Sequence, residues 1–90
     1  MERTVTVVPE AGLHARPASK FVQAANEFDA VVTIAPADDG ESVNAGSMLA
    51  VTGLNVEHGD VVRLVAEGED AEKALDALEG VLSSPEDDDR

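Results

Sequence analysis

Hydrophobic and polar positions alternate at the start of the chain and then change period, and that change outlines the fold. Arg3-Thr4-Val5-Thr6-Val7-Val8 is rich in β-branched residues with partial alternation, and Pro9 cannot donate to a sheet ladder. A first strand is therefore expected at about residues 2 to 8. After the loop Glu10-Ala11-Gly12-Leu13, apolar Ala18, Phe21, Val22 and Ala25 recur at spacings of three and four, with Lys20, Gln23 and Asn26 between them. This pattern predicts a helix from about 16 to 27. Ala30-Val31-Val32-Thr33-Ile34-Ala35 reads as a second strand, and the turn residues Asp38-Asp39-Gly40 lead into a short third strand around 41 to 44.

Ser47 is placed to cap a short helix whose Met48, Val51 and Leu54 share a face, and Gly53 is placed to end it. Glu57-His58-Gly59-Asp60 reads as a turn, and Val61 to Ala66 as a fourth strand. A last helix begins around Gly68-Glu69-Asp70, with Ala71, Ala74, Leu75, Leu78, Val81 and Leu82 in one stripe and Glu72, Asp76 and Glu79 toward water. The order β-α-β-β-α-β-α predicts an α+β open-faced sandwich, a four-stranded antiparallel sheet with three helices on one face. One domain is expected over residues 1 to 84, followed by an acidic tail, 85 to 90, that reads as fraying and solvating.

Composition narrows the chemistry. Aromatic residues are only 2% of the chain, so Val, Leu and Ala must fill the core and no Trp or Tyr is present for base stacking. The absence of cysteine excludes disulfides, thiolate catalysis and cysteine metal sites. Six basic residues against nineteen acidic ones give a formal net charge of −13, which repels phosphate backbones and anionic lipid. Nucleic-acid and membrane partners are thereby disfavoured, and a cytoplasmic monomer without signal peptide or transmembrane run is expected. So acidic a balance suits high intracellular salt, where a Debye length of roughly 3 Å at 1 M makes self-repulsion tolerable. His58 reads as a turn residue, Asp38 and Asp39 lack calcium-loop spacing, and no metal or cofactor is implied.

The candidate chemistry lies in Gly12-Leu13-His14-Ala15-Arg16-Pro17-Ala18, at the join of the first loop and first helix. Proline favours the first helical turn, so His14 falls at or just before the N-cap. Free backbone N–H groups and the helix dipole favour an anion there, and Arg16 can grip two phosphate oxygens. The positive surroundings favour neutral imidazole, whose lone pair can attack a phosphoryl donor. A capping or surface role for His14 fits the same spacing.

That segment resembles the phosphorylation motif of the histidine-containing phosphocarrier (HPr) family of the sugar phosphotransferase system. Asn44-Ala45-Gly46-Ser47-Met48 is similar to the family's regulatory-serine segment, and Glu57-His58-Gly59-Asp60 and Ala66-Glu67-Gly68-Glu69-Asp70 to its later turns, so the resemblance spans about residues 2 to 83. It implies a stoichiometric carrier, not an enzyme. His14 would take phosphate from enzyme I, itself charged by phosphoenolpyruvate, and pass it to the A domain of a sugar-specific enzyme II. Arg16 would stabilise the phosphate, and Met48 and Leu49 would lie in a docking surface beside His14. Ser47 would match the serine that a dedicated kinase modifies in some relatives, although N-capping also explains it. Where many relatives carry lysines, this chain has Gln23, Asn26, Gly46 and Ala50, leaving Arg16 and Lys20 as the basic side chains near the site. Two other functions fit the fold: a regulatory module acting through Ser47 and the Met48/Leu49 face, and a noncovalent anion-binding domain.

Overall fold

The computed structural model describes residues 1–38 and 41–84. Seven elements follow one another: β1 (Glu2–Thr6), α1 (Ala15–Ala25), β2 (Val31–Pro36), β3 (Val43–Asn44), α2 (Met48–Gly53), β4 (Val61–Glu67) and α3 (Ala71–Ser83). The strands form one sheet in the order β1-β4-β2-β3, with every neighbouring pair antiparallel. Thr4 sits opposite Arg63 across β1 and β4, and Thr33 opposite Val65 across β2 and β4. This is the expected open-faced sandwich. Asp39, Gly40 and the tail from residue 85 onward, read above as turn and fraying segment, lie outside the described residues.

Alternation along the strands sends Val5, Val32, Ile34, Val62, Leu64 and Ala66 to one face, where the helices bury them. Phe21 of α1, Val51 of α2 and Leu75, Leu78 and Leu82 of α3 are fully buried against that face. Phe21 is the largest of these side chains and Phe28 packs against the cluster, so aliphatic residues fill the core as the composition requires. Among the described residues no polar or charged side chain is buried, and no helix is long and apolar enough to cross a membrane.

Element ends depart from expectation where long-range contacts overrule local pattern. β1 stops at Thr6, short of residue 8. Val7 N–H instead donates to Asp60 O at 2.8 Å, and Val8 N–H to Leu82 O at 2.8 Å, which carries the chain to the end of α3. α2 ends at Gly53 as expected, with Leu54 as its C-cap, but it is Asn55 that takes φ +58°, the left-handed conformation that asparagine tolerates. α3 starts at Ala71 with Asp70 as N-cap, yet the Asp70 carboxylate accepts from the Asp29 N–H at 2.9 Å and ties α3 to the loop after α1. Gly68 makes that approach possible, since a Cβ there would lie 2.9 Å from Ala30 Cα.

Arg3 points to the helical side, where Nη1 donates to Asp76 Oδ1 at 2.6 Å and Glu79 Oε1 at 3.0 Å on α3. The Asp76 hydrogen bond is the main cause of a raised Arg3 pKa, reinforced by Glu79, so the cation persists well beyond neutral pH. On the other face, Arg63 Nε lies 3.7 Å from Glu2 Oε2.

Candidate functional site

The loop that delivers His14 is pinned before the residue is reached. Gly12 N–H donates to Pro9 O at 2.9 Å, closing a turn, and Leu13 N–H donates to Val56 O at 2.9 Å. Gly12 has φ +69°, and a Cβ on it would strike the Val56 carbonyl oxygen and lie 2.7 Å from Glu57 Cα. Only glycine fits that close crossing of two backbones. Leu13, fully buried, anchors the same loop in the core.

His14 is the N-cap of α1, in extended conformation (φ −134°, ψ 164°). Its ring is half-buried, does not cap the helix and makes no hydrogen bond among the described residues. Ala15 follows with φ +54°, a left-handed conformation that costs an L residue about 1–2 kcal/mol. The first helical bond, Ala18 N–H to His14 O, is long at 3.4 Å. Among the described residues the N–H groups of Ala15 and Arg16 donate to nothing, and Pro17 has no N–H. The positive end of α1 therefore stands open beside the imidazole, with donors directed to solvent or to an anion.

Arg16 and Lys20 lie one turn apart on α1, both exposed. They line a groove of about 310 Å³ between α1 and α3, with Pro9 and Pro17 beside them and the stripe Ala77, Gly80, Val81 and Ser84 opposite. His14 is not in that lining, so the groove and the imidazole are neighbouring features joined by Arg16. Among the described residues neither Arg16 nor Lys20 pairs with a carboxylate, whereas Arg3 and Arg63 both do.

Ser47 is the N-cap of α2, its Oγ accepting from Ala50 N–H at 3.2 Å. Leu49 is 85% exposed and Met48 41%, while Val51 is fully buried, so Met48 does not share Val51's inward face as its spacing suggests. Asn26 Nδ2 donates to Gly46 O at 3.1 Å at the end of α1, and Val56 meets Leu13 at its beginning. α2 thus runs beside α1 in the opposite sense, with Met48 and Leu49, which follow Gly46, nearer the C-terminal end of α1 than the N-terminal end that carries His14.

His58 lies in its expected turn, exposed, with Nδ1 2.8 Å from Val8 O. Among the described residues no group of three or more His, Cys, Asp or Glu could hold a metal ion. Two features of the site have no local signature in the sequence: the left-handed Ala15, because alanine rarely marks such a position, and the α1/α3 groove, which forms from segments some sixty residues apart.

The family model for the PTS HPr component phosphorylation site matches residues 1–84. The chain is similar to the phosphocarrier protein HPr of Haloferax volcanii, at 71% identity over 86 residues, covering 96% of this chain and 97% of that protein. It is 50% identical over 90 residues to the phosphocarrier protein HPr of Streptomyces coelicolor, covering 94% and 96%. Among solved structures, a phosphocarrier protein HPr from Bacillus anthracis superposes with a TM-score of 0.86 at 40% identity, over 91% of this chain and 95% of that one.

Proposed function

Because the chain belongs to the HPr family of phosphotransferase-system phosphocarriers, we propose that it accepts a phosphoryl group on His14 from phosphorylated enzyme I and passes it to the A domain of a sugar-specific enzyme II. The observation that carries this reading is a half-buried imidazole, unengaged by any described residue, at the open N-terminus of α1. A ring nitrogen of neutral His14 attacks phosphorus, the bond from phosphorus to the donor breaks, and the N–P bond forms. The incoming dianion meets the N–H groups of Ala15 and Arg16, which donate to no described acceptor, and the Arg16 guanidinium adds positive charge beside it. The phosphoryl group leaves by the same route in reverse, so the protein acts stoichiometrically, with no turnover of its own and no cofactor.

Incubation with enzyme I and phosphoenolpyruvate should add one acid-labile phosphate per chain, seen by phosphorus NMR, and His14→Ala should abolish it. Labelling that survives the substitution removes His14 from the role.

The exposure of Leu49 and Met48 next to Ser47 favours a second reading, a regulatory module that docks through this apolar face. Phosphate on Ser47, delivered by a serine kinase, would add a charge of about −1.5 to −2 at the N-terminus of α2 beside that face. An onward-transfer assay separates the two: a carrier delivers its phosphate to an enzyme II A domain, and a pure regulator does not.

A further inference from the structure

His58 is the histidine that the proposed transfer leaves without a task, and its ring is held although it is exposed. A carbonyl oxygen only accepts, so the 2.8 Å contact of Nδ1 with Val8 O makes Nδ1–H the donor and leaves Nε2 without a proton in the neutral ring. The turn that carries His58 is firm at its base. Asp60 Oδ2 accepts from Glu57 N–H at 2.9 Å and Asp60 N–H donates to Glu57 O at 3.0 Å, which closes the turn on itself. Gly59 N–H donates to Val7 O and Val7 N–H to Asp60 O, both at 2.8 Å, which fastens the turn just beyond β1.

What His58 holds is the root of the loop that delivers His14. The peptide unit joining Val8 to Pro9 has a single polar group, Val8 O, because proline has no N–H. Among the described residues His58 is the one donor to that oxygen. The Pro9 ring is fully buried and fixes its own φ, so the tilt of this peptide plane is passed on to the residues that follow. Pro9 O accepts from Gly12 N–H, and Leu13 N–H donates to Val56 O, each at 2.9 Å. Residues 56 to 60 thus grip the loop at both ends. Among the described residues the other hydrogen bonds between the two segments run from backbone to backbone, so His58 is the contact that a substitution can remove. The grip sustains strain at its far end: Ala15, next to His14, keeps φ +54°, a conformation that persists only where the surroundings over-determine it.

We propose that His58 is a positioning residue for phosphoryl acceptance: by orienting the Val8–Pro9 peptide it holds the loop in the arrangement that presents the His14 imidazole at the open N-terminus of α1. This role rests on the phosphocarrier reading above, whereas the hold on the loop stands on the geometry alone. Arg16, Met48 and Leu49 lie outside the gripped residues, so loss of the bond acts on the transfer step and not on association.

His58→Ala removes the donor, and His58→Asn restores it, since the asparagine amide nitrogen stands as many bonds from the backbone as Nδ1 does. With enzyme I and saturating phosphoenolpyruvate, initial rates of labelling against carrier concentration give kcat and KM for each chain. His58→Ala should lower kcat about fivefold at unchanged KM, the fold-change that one hydrogen bond corresponds to, and His58→Asn should recover most of it. Arg3→Ala, which removes two carboxylate contacts at the other end of β1, controls for a general loss of stability, and its kcat should stay at the parent value. An unchanged kcat in His58→Ala, or an equal fall in His58→Asn or in Arg3→Ala, overturns the role. NMR supplies a readout that needs no enzyme I. At a pH where the ring is neutral, His58 should show the Nδ1-protonated tautomer, and the Gly12 amide should exchange several-fold faster in His58→Ala than in the parent and His58→Asn. A ring protonated on Nε2, or Gly12 exchange equal in the parent and His58→Ala, refutes the hold on the loop. If enzyme I labels none of the chains, the phosphocarrier reading fails and the role at His14 with it, while the tautomer and the Gly12 amide still decide the hold.

Discussion

Replacing Gly12 with alanine adds one methyl group at a point where two backbones cross. The new Cβ would meet the Val56 carbonyl oxygen and stand 2.7 Å from Glu57 Cα, and backbone cannot yield as a side-chain tip can. At φ +69° the alanine also pays the left-handed penalty of about 1–2 kcal/mol, offset by about 0.4–1 kcal/mol because the unfolded chain loses freedom. To relieve the clash the loop must lift, opening the Leu13 N–H to Val56 O bond, worth about 1 kcal/mol. Lifting also uncovers part of Leu13, whose full burial contributes about 1.5–3 kcal/mol. The sum is a loss of about 3 kcal/mol, which in a domain of this size lowers Tm by about 15 °C. Thermal unfolding followed by circular dichroism, at a salt concentration where the parent unfolds in one transition, measures it. A fall of less than about 4 °C, equivalent to under about 1 kcal/mol, together with an unshifted Leu13 amide signal, would refute the crossing as the constraint that holds His14's loop.

Gly80→Ala should act in the opposite sense, gaining about 0.5–1 kcal/mol because the site is helical and the added Cβ has open space, and a lowered Tm would contradict that space. Ser47→Ala should cost about 1 kcal/mol by removing the cap on Ala50 N–H, while Ser47→Asp should retain most of the stability; equal losses in urea titrations would deny the capping role. Ala15→Gly should leave Tm unchanged or a few degrees higher, because relief of the positive φ offsets the entropy of glycine, whereas a fall of about 5 °C would show no strain at that position. With a net charge of −13, Tm should rise steadily between 0.1 and 2 M KCl, and a flat profile would show that self-repulsion does not limit stability.

What could be read from the chain before its structure was whatever local periodicity encodes. The apolar spacing of Ala18, Phe21 and Ala25 marks the buried stripe of α1, and Pro17 places His14 at its N-cap. Ser47 caps α2 because a hydroxyl there can reach Ala50 N–H. Strand ends and backbone handedness are different, since partners distant in sequence decide them. β1 ends early because Val8 N–H is drawn to Leu82 O, and no property of residues 1 to 9 announces that partner. α2 ends at Gly53, but the left-handed residue after it is Asn55 and not the glycine, where the chain turns toward Val56 and its bond with Leu13. Arg3 shares the core face with Val5 by alternation, but nothing near it in sequence shows that its charge is met there by Asp76 and Glu79 of α3.

These long-range ties have one consequence for recognition. His14 is held between a loop locked to Val56 and a helix whose first residue is forced left-handed, so its ring is presented by a rigid frame and pays little ordering cost when a partner docks. The charge is predominantly negative, and among the described residues Arg16 and Lys20 form a basic edge on the groove that pairs with no carboxylate. An acidic partner in low salt would be repelled by that net charge and drawn toward the Arg16 and Lys20 edge of α1, near His14. Steering of that kind fixes orientation more than affinity, and it fades with screening. In concentrated salt the burden passes to apolar contact, for which Leu49, 85% exposed on the helix alongside, is the side chain most available. On the phosphocarrier reading, low salt would thus favour docking steered by Arg16 and Lys20, and high salt docking through the apolar side chains of α2.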